Sequence, residues 1–192
     1  GTQLVADIEP GNNGSYPENL TEWNGVLFFS AETRQGYGSS EPESGALFPP
    51  GTGRELWKSD GTPEGTLLVK DIRPGVDLSG YPIGSYPYHL TVAAGNLFLV
   101  ANDGVHGEEL WKSDGTESGT VLVRDILPGI GRSCVRFLEE HQGMLVFSAN
   151  DGTSGSEAWI SDGTSAGTML AEDLAPGFGG SSPVGFTVFK GQ

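Results

Sequence analysis

The chain is poor in cations, sulfur and imidazole, and each shortage excludes a class of chemistry. Ten Lys and Arg stand against 25 Asp and Glu, a formal charge of −15. Such a balance repels nucleic acid and anionic lipid, leaving cations and basic surfaces as the attracted partners. The one cysteine, Cys134, rules out an internal disulfide framework and a cysteine-based zinc site, and it leaves the redox compartment open. The three histidines, His89, His106 and His141, belong to a strand start, a loop and a turn at the opposite end of a sheet, so they do not converge on a metal. No run approaches the roughly 18 apolar residues of a membrane-spanning helix. There is no Gly-x-Ser-x-Gly elbow and no phosphate loop, and no carboxylate pair stands out as a glycosidase pair. The expectation is a non-enzyme with no catalytic residues and no obligate cofactor. No secretory signal is visible; the chain opens inside a repeat without Met, so the native start is expected to lie upstream.

What is abundant is turn chemistry. Thirty-one Gly and 12 Pro, in a chain still 36% hydrophobic, indicate many short strands joined by tight turns. The order is repetitive. Asp7, Asp71, Asp125 and Asp173 follow one another at steps of 64, 54 and 48 residues, and Trp57, Trp111 and Trp159 repeat the last two steps. A period of about 48 residues built of short strands is the signature of four-stranded propeller blades. In the clearest unit, strand a covers 89–93, strand b 96–100, strand c 109–112 and strand d 120–125, with an Asp114-Gly115 reversal between c and d. The expected architecture is an all-β propeller region. It comprises a lone d strand within 1–11, blades over 16–75, 86–129 and 134–177, and a last a strand within 183–192. Fourteen strands fall short of the sixteen of a closed four-blade ring, which implies a fragment or an array completed by another chain.

Glu-Leu-Trp-x-x-Asp-Gly-Thr, at 55–62 and 109–116 and as Glu-Ala-Trp-Ile-Ser-Asp-Gly-Thr at 157–164, resembles the repeat of the ELWxxDGT family of bacterial proteins, which are often secreted or surface-attached. The likeness covers essentially the whole chain. It implies a propeller-like repeat architecture and an extracellular or cell-surface location, and it brings no agreed activity. The Asp-Gly turn also resembles the Asp-box of sialidase-type propellers, with a different spacing.

Residues that blade geometry demands recur in every copy, whereas a ligand contact need not. On this ground Trp57, Trp111 and Trp159 are expected to fill the gaps between sheets, and Asp60, Asp114 and Asp162 to brace the c–d turns. The pairs Glu108-Glu109 and Glu139-Glu140 are expected to be solvated strand ends. Function is sought where the copies differ. Blade one has about 16 extra residues between b and c, and blade two a longer d–a connection through Tyr81, Tyr86 and Tyr88. In an up-and-down sheet both connections emerge at the same end. Tyr37, Phe48, Tyr81, Tyr86, Tyr88, Arg34 and Arg132 are therefore the candidate ligand- or partner-binding residues. The expected function is a non-catalytic scaffold for protein binding or assembly, with a protein partner or neighbouring subunit. The alternative is a carbohydrate-binding or calcium-stabilised module, for which Asp103 and Asp151 are the calcium candidates; a hydrolase-type propeller is the third.

Overall fold

Twelve strands and no helix form from the described residues, 1–11, 13–34 and 51–186 of the computed structural model. They make three four-stranded antiparallel sheets, each in sequence order. The first holds β1 (Glu18–Trp23), β2 (Val26–Thr33), β3 (Gly53–Ser59) and β4 (Leu67–Lys70). The second holds β5 (Tyr88–Ala93), β6 (Asn96–Asn102), β7 (Glu108–Ser113) and β8 (Val121–Arg124). The third holds β9 (Arg136–His141), β10 (Met144–Asn150), β11 (Ser156–Ser161) and β12 (Met169–Glu172).

The sequence explains each pairing. The first two strands of each sheet are joined by two residues that both take positive φ, at Asn24 (54°) and Gly25 (79°), Ala94 and Gly95, and Gln142 and Gly143. This is the type I′ turn, whose twist matches that of the strands it joins. Strand β6 is apolar without alternation. Leu97 to Ala101 of β6 are all fully buried, so both faces of that strand are covered. Pairing β2 with β3 sets Phe29 opposite Trp57, and the same register sets Leu99 opposite Trp111 and Phe147 opposite Trp159.

The chain divides into two compact units, Gly1–Tyr88 and His89–Gln192. In the first, buried Ile8 packs with Phe29, Ala31 and Trp57 on one face of the first sheet, and Leu68 joins them. In the second, the second and third sheets lie against one another. The Arg124 guanidinium of β8 sits 5.9 Å above the Trp159 ring and donates to the Thr168 carbonyl at 2.6 Å.

The N-terminal end differs from expectation: residues 2–8 form no strand. Of the last a strand expected within 183–192, residues 187–192 lie outside the described residues. A d strand is held only by the c strand of its own sheet, and residues 2–8 have none among the described residues, so the segment is retained by Ile8 rather than by a ladder.

Candidate functional site

Each sheet has two ends of different character. At one end, strands c and d are joined by a turn that recurs bond for bond. Asp60 Oδ1 accepts from the Thr62 N–H (2.9 Å) and hydroxyl (2.7 Å). Thr62 Oγ1 accepts from Gly65 N–H (2.9 Å), and Thr66 Oγ1 donates to Thr62 O (2.7 Å) and meets Ser59 Oγ (2.7 Å). Asp114 with Thr116, Gly119 and Thr120, and Asp162 with Thr164, Gly167 and Thr168, repeat this set. Gly119 has no room for a side chain, since a Cβ there would stand 2.1 Å from Asp114 Oδ1. Hydrogen bonds to Thr62 and Thr164 hold Asp60 and Asp162 below the usual carboxylate range. The tryptophan rings at the centre of each sheet are sealed from solvent.

At the other end, the glutamate of each Glu-Leu/Ala-Trp run is fully buried. Glu109 is thus no solvated strand end, whereas Glu139 and Glu140 are exposed. Glu55 accepts from the N–H groups of Ile72 (3.2 Å) and Arg73 (3.3 Å), just past β4, and from the Ser85 N–H (2.7 Å) and hydroxyl (2.5 Å) before β5. Glu109 accepts from Ile126 and Leu127, both at 3.1 Å. Glu157 accepts from Ala175 (3.3 Å), from the Ser181 N–H (2.6 Å) and from the Ser181 hydroxyl. One carboxylate thereby ties strand c to the chain leaving strand d and, at Glu55 and Glu157, to the serine that follows in the d–a connection. The glycines beside it allow the approach: a Cβ on Gly53 would lie 2.5 Å from Gly84 N, and Gly107 meets Gly131, and Gly155 meets Gly180, in the same way.

Burial pushes Glu55 and Glu109 up to about 7 from an ordinary 4.5, with the hydrogen bonds opposing. The Ser181 hydrogen bonds instead pull Glu157 down. All three side chains are closed to water, but desolvation outweighs hydrogen bonding only at the first two.

The described candidate binding residues sit at this glutamate-bearing end. Tyr81 and Tyr86 are exposed and Tyr88 is half-buried. The Tyr81 N–H donates to Asp77 Oδ1 (3.0 Å), which folds 76–82 into a compact loop closed by a Val76–Pro82 bridge. Tyr86 has a left-handed backbone (φ 52°), as do Tyr16, Cys134 and Ser182 at the same repeat position. Arg34 pairs with Glu32 (2.7 Å) and its N–H donates to Glu9 Oε2 (2.8 Å); Arg132, largely exposed, lies 3.4 Å from Glu108. Tyr37 and Phe48 lie outside the described residues.

One further feature went unread in the sequence. The residue after the Pro-Gly that follows β4, β8 and β12 is apolar and exposed, Val76 at 61%, Ile130 at 84% and Phe178 at 84%, whereas Asn12 follows Pro10-Gly11. Its signal was the recurrence of a large apolar residue at a position no strand buries.

The calcium candidates are occupied by their own turns. Asp103 Oδ1 accepts from Val105 and His106 N–H, both at 2.8 Å, and its Oδ2 holds His106 Nδ1 at 2.7 Å. That contact raises the His106 pKa and lowers that of Asp103, against the effect of burial on the aspartate. Asp151 accepts from Thr153 and Ser154 likewise. Among the described residues no group of three or more His, Cys, Asp or Glu could hold a metal ion.

No protein family, curated protein or solved structure matches this chain.

Proposed function

We propose that the chain is a stretch of β-propeller acting as a non-catalytic scaffold, bacterial and extracellular or cell-surface, that binds a protein partner or neighbouring subunit through the end bearing the d–a connections. The observation that carries this reading is the exposed apolar residue at the same place in three successive repeats, Val76, Ile130 and Phe178; the loop that bears Val76 also bears exposed Tyr81. Burying apolar surface contributes roughly 25 cal/mol per Å², so a repeated exposed apolar position has an interface as its simplest use. The tyrosines add area and a hydroxyl at small entropic cost. The propeller reading is supported by the three up-and-down four-stranded sheets and by the stacking of the second on the third. The location rests on the resemblance of the repeat. Affinity capture from extracellular extract tests the reading with two variants, Val76→Ser/Ile130→Ser/Phe178→Ser and Tyr81→Ala/Tyr86→Ala/Tyr88→Ala. Loss of the captured partner with an unchanged melting temperature supports it; capture that survives both variants refutes it.

A further inference from the structure

We propose that the third sheet carries a binding pocket for a small organic carboxylate, anchored by Arg136. The first and third sheets differ at equivalent positions. In the first sheet Glu18 stands opposite Ser30 and Arg54 opposite Glu32. Arg54 fills the notch at that end of the sheet, where its Nη1 donates to Tyr16 O (2.9 Å), Glu18 Oε2 (3.2 Å) and Ser30 Oγ (3.4 Å). Cation, carboxylate and hydroxyl there satisfy one another.

In the third sheet Arg136 stands opposite Ser148 and Ser156 opposite Asn150. Arg136 thus takes the place of Glu18 and Ser156 that of Arg54, while Ser148 repeats Ser30. With serine where the first sheet has arginine, an open pocket of about 330 Å³ lies at this end of the third sheet. That is the size of a small-molecule site. Arg136, Asn150, Ser148, Ser156 and Ser182 supply its polar groups, and Phe137, Pro183 and Val184 its apolar wall. Cys134 completes the lining.

Charge selects the ligand. Among the described residues the Arg136 guanidinium makes no hydrogen bond or ion pair, although the chain carries 25 carboxylates. The Ser148 and Ser156 hydroxyls lie 3.0 Å apart. One proton satisfies that contact, which leaves the other hydroxyl's proton to donate into the cavity. A guanidinium that matches a carboxylate in two parallel bonds, with hydroxyl and amide donors beside it, selects an anion over a neutral or cationic ligand. The first sheet provides its own carboxylate in Glu18; the third takes one from solution.

The test is titration of the full chain, by NMR or calorimetry, with D-glucuronate and with benzoate, against glucose and benzamide as neutral controls. Saturable millimolar or tighter binding of at least one acid is expected, with neither control bound. Glucuronate alone would identify a sugar acid, and benzoate alone an apolar acid. Arg136→Gln should weaken binding about tenfold or more, and Ser156→Arg, which restores the first sheet's arginine, should abolish it. Bound acid should also slow thiol labelling of Cys134 several-fold. Failure of both acids to bind, equal binding of the neutral analogues, or affinity unchanged in Arg136→Gln would overturn the proposal. Melting curves establish that each variant is folded, and Arg136→Gln decides alone if Ser156→Arg is not.

Discussion

The two ends of each sheet follow opposite rules. At the c–d end the three copies agree bond for bond, with Asp60, Asp114 and Asp162 each gathering the threonine two residues on. At the other end an inner layer is constant, the buried glutamates Glu55, Glu109 and Glu157, while the connections outside it vary in length and charge. The difference teaches that recurrence has two meanings in a repeat protein. A recurring polar group that is buried or locked in its own turn holds the chain together. A recurring apolar group that is exposed, such as Val76, Ile130 and Phe178, lies outside the cores of the sheets and is available for an interface.

The largest effect should come from breaking the constant inner layer. Glu109→Ala leaves the buried N–H groups of Ile126 and Leu127 without an acceptor, and we expect a loss of about 3–5 kcal/mol in urea or thermal unfolding. A loss below about 1 kcal/mol would show that the glutamate is incidental.

Next is the pH dependence that separates Glu55 from Glu157. Glu55 has its folded pKa raised to about 7 from an ordinary 4.5, so the folded state holds its proton more tightly than the unfolded chain does. Its contribution is fully present below about pH 4.5 and is lost as pH rises through 7, about 1–3 kcal/mol over that window. Stability should therefore rise on acidification from pH 8 to 5. Glu157, with its folded pKa lowered, works in the opposite sense and loses its contribution only at lower pH. Unfolding measured across this range should show the slope between pH 5 and 7 reduced in Glu55→Gln and retained in Glu157→Gln.

Much of the fold was legible in the sequence. The strands of the second sheet lie within two residues of the positions expected, because Ala94-Gly95 and Asp114-Gly115 mark reversals and the intervening runs are apolar. The lone strand expected over 2–8 was not, since a d strand needs a c strand beside it. Glu109 was misread because an adjacent pair of charges, Glu108-Glu109, suggests a solvated surface. Both faces of β7 are instead covered at Glu109, Leu110 and Trp111, and the Glu109 carboxylate accepts from the amides of Ile126 and Leu127. The exchange of Glu18 and Arg54 for Arg136 and Ser156 is written in the sequence, but strand register is needed to see that the four occupy two equivalent positions.

The smallest stability effect should come from the exposed apolar positions, and pairing one of them with the opposite end of the same unit tests the whole scheme. Gly119→Ala drives a Cβ into the Asp114 carboxylate, whereas Ile130→Ser alters only an exposed side chain. The most direct measurement reads melting temperature and partner capture on these two variants side by side. Gly119→Ala is expected to lose about 1–3 kcal/mol and keep the partner when assayed well below its melting point. Ile130→Ser is expected to change stability by no more than about 0.5 kcal/mol and to weaken capture. The reverse pattern, with Ile130→Ser destabilising and Gly119→Ala abolishing capture in a folded chain, would contradict the division of the sheets into a structural end and a binding end.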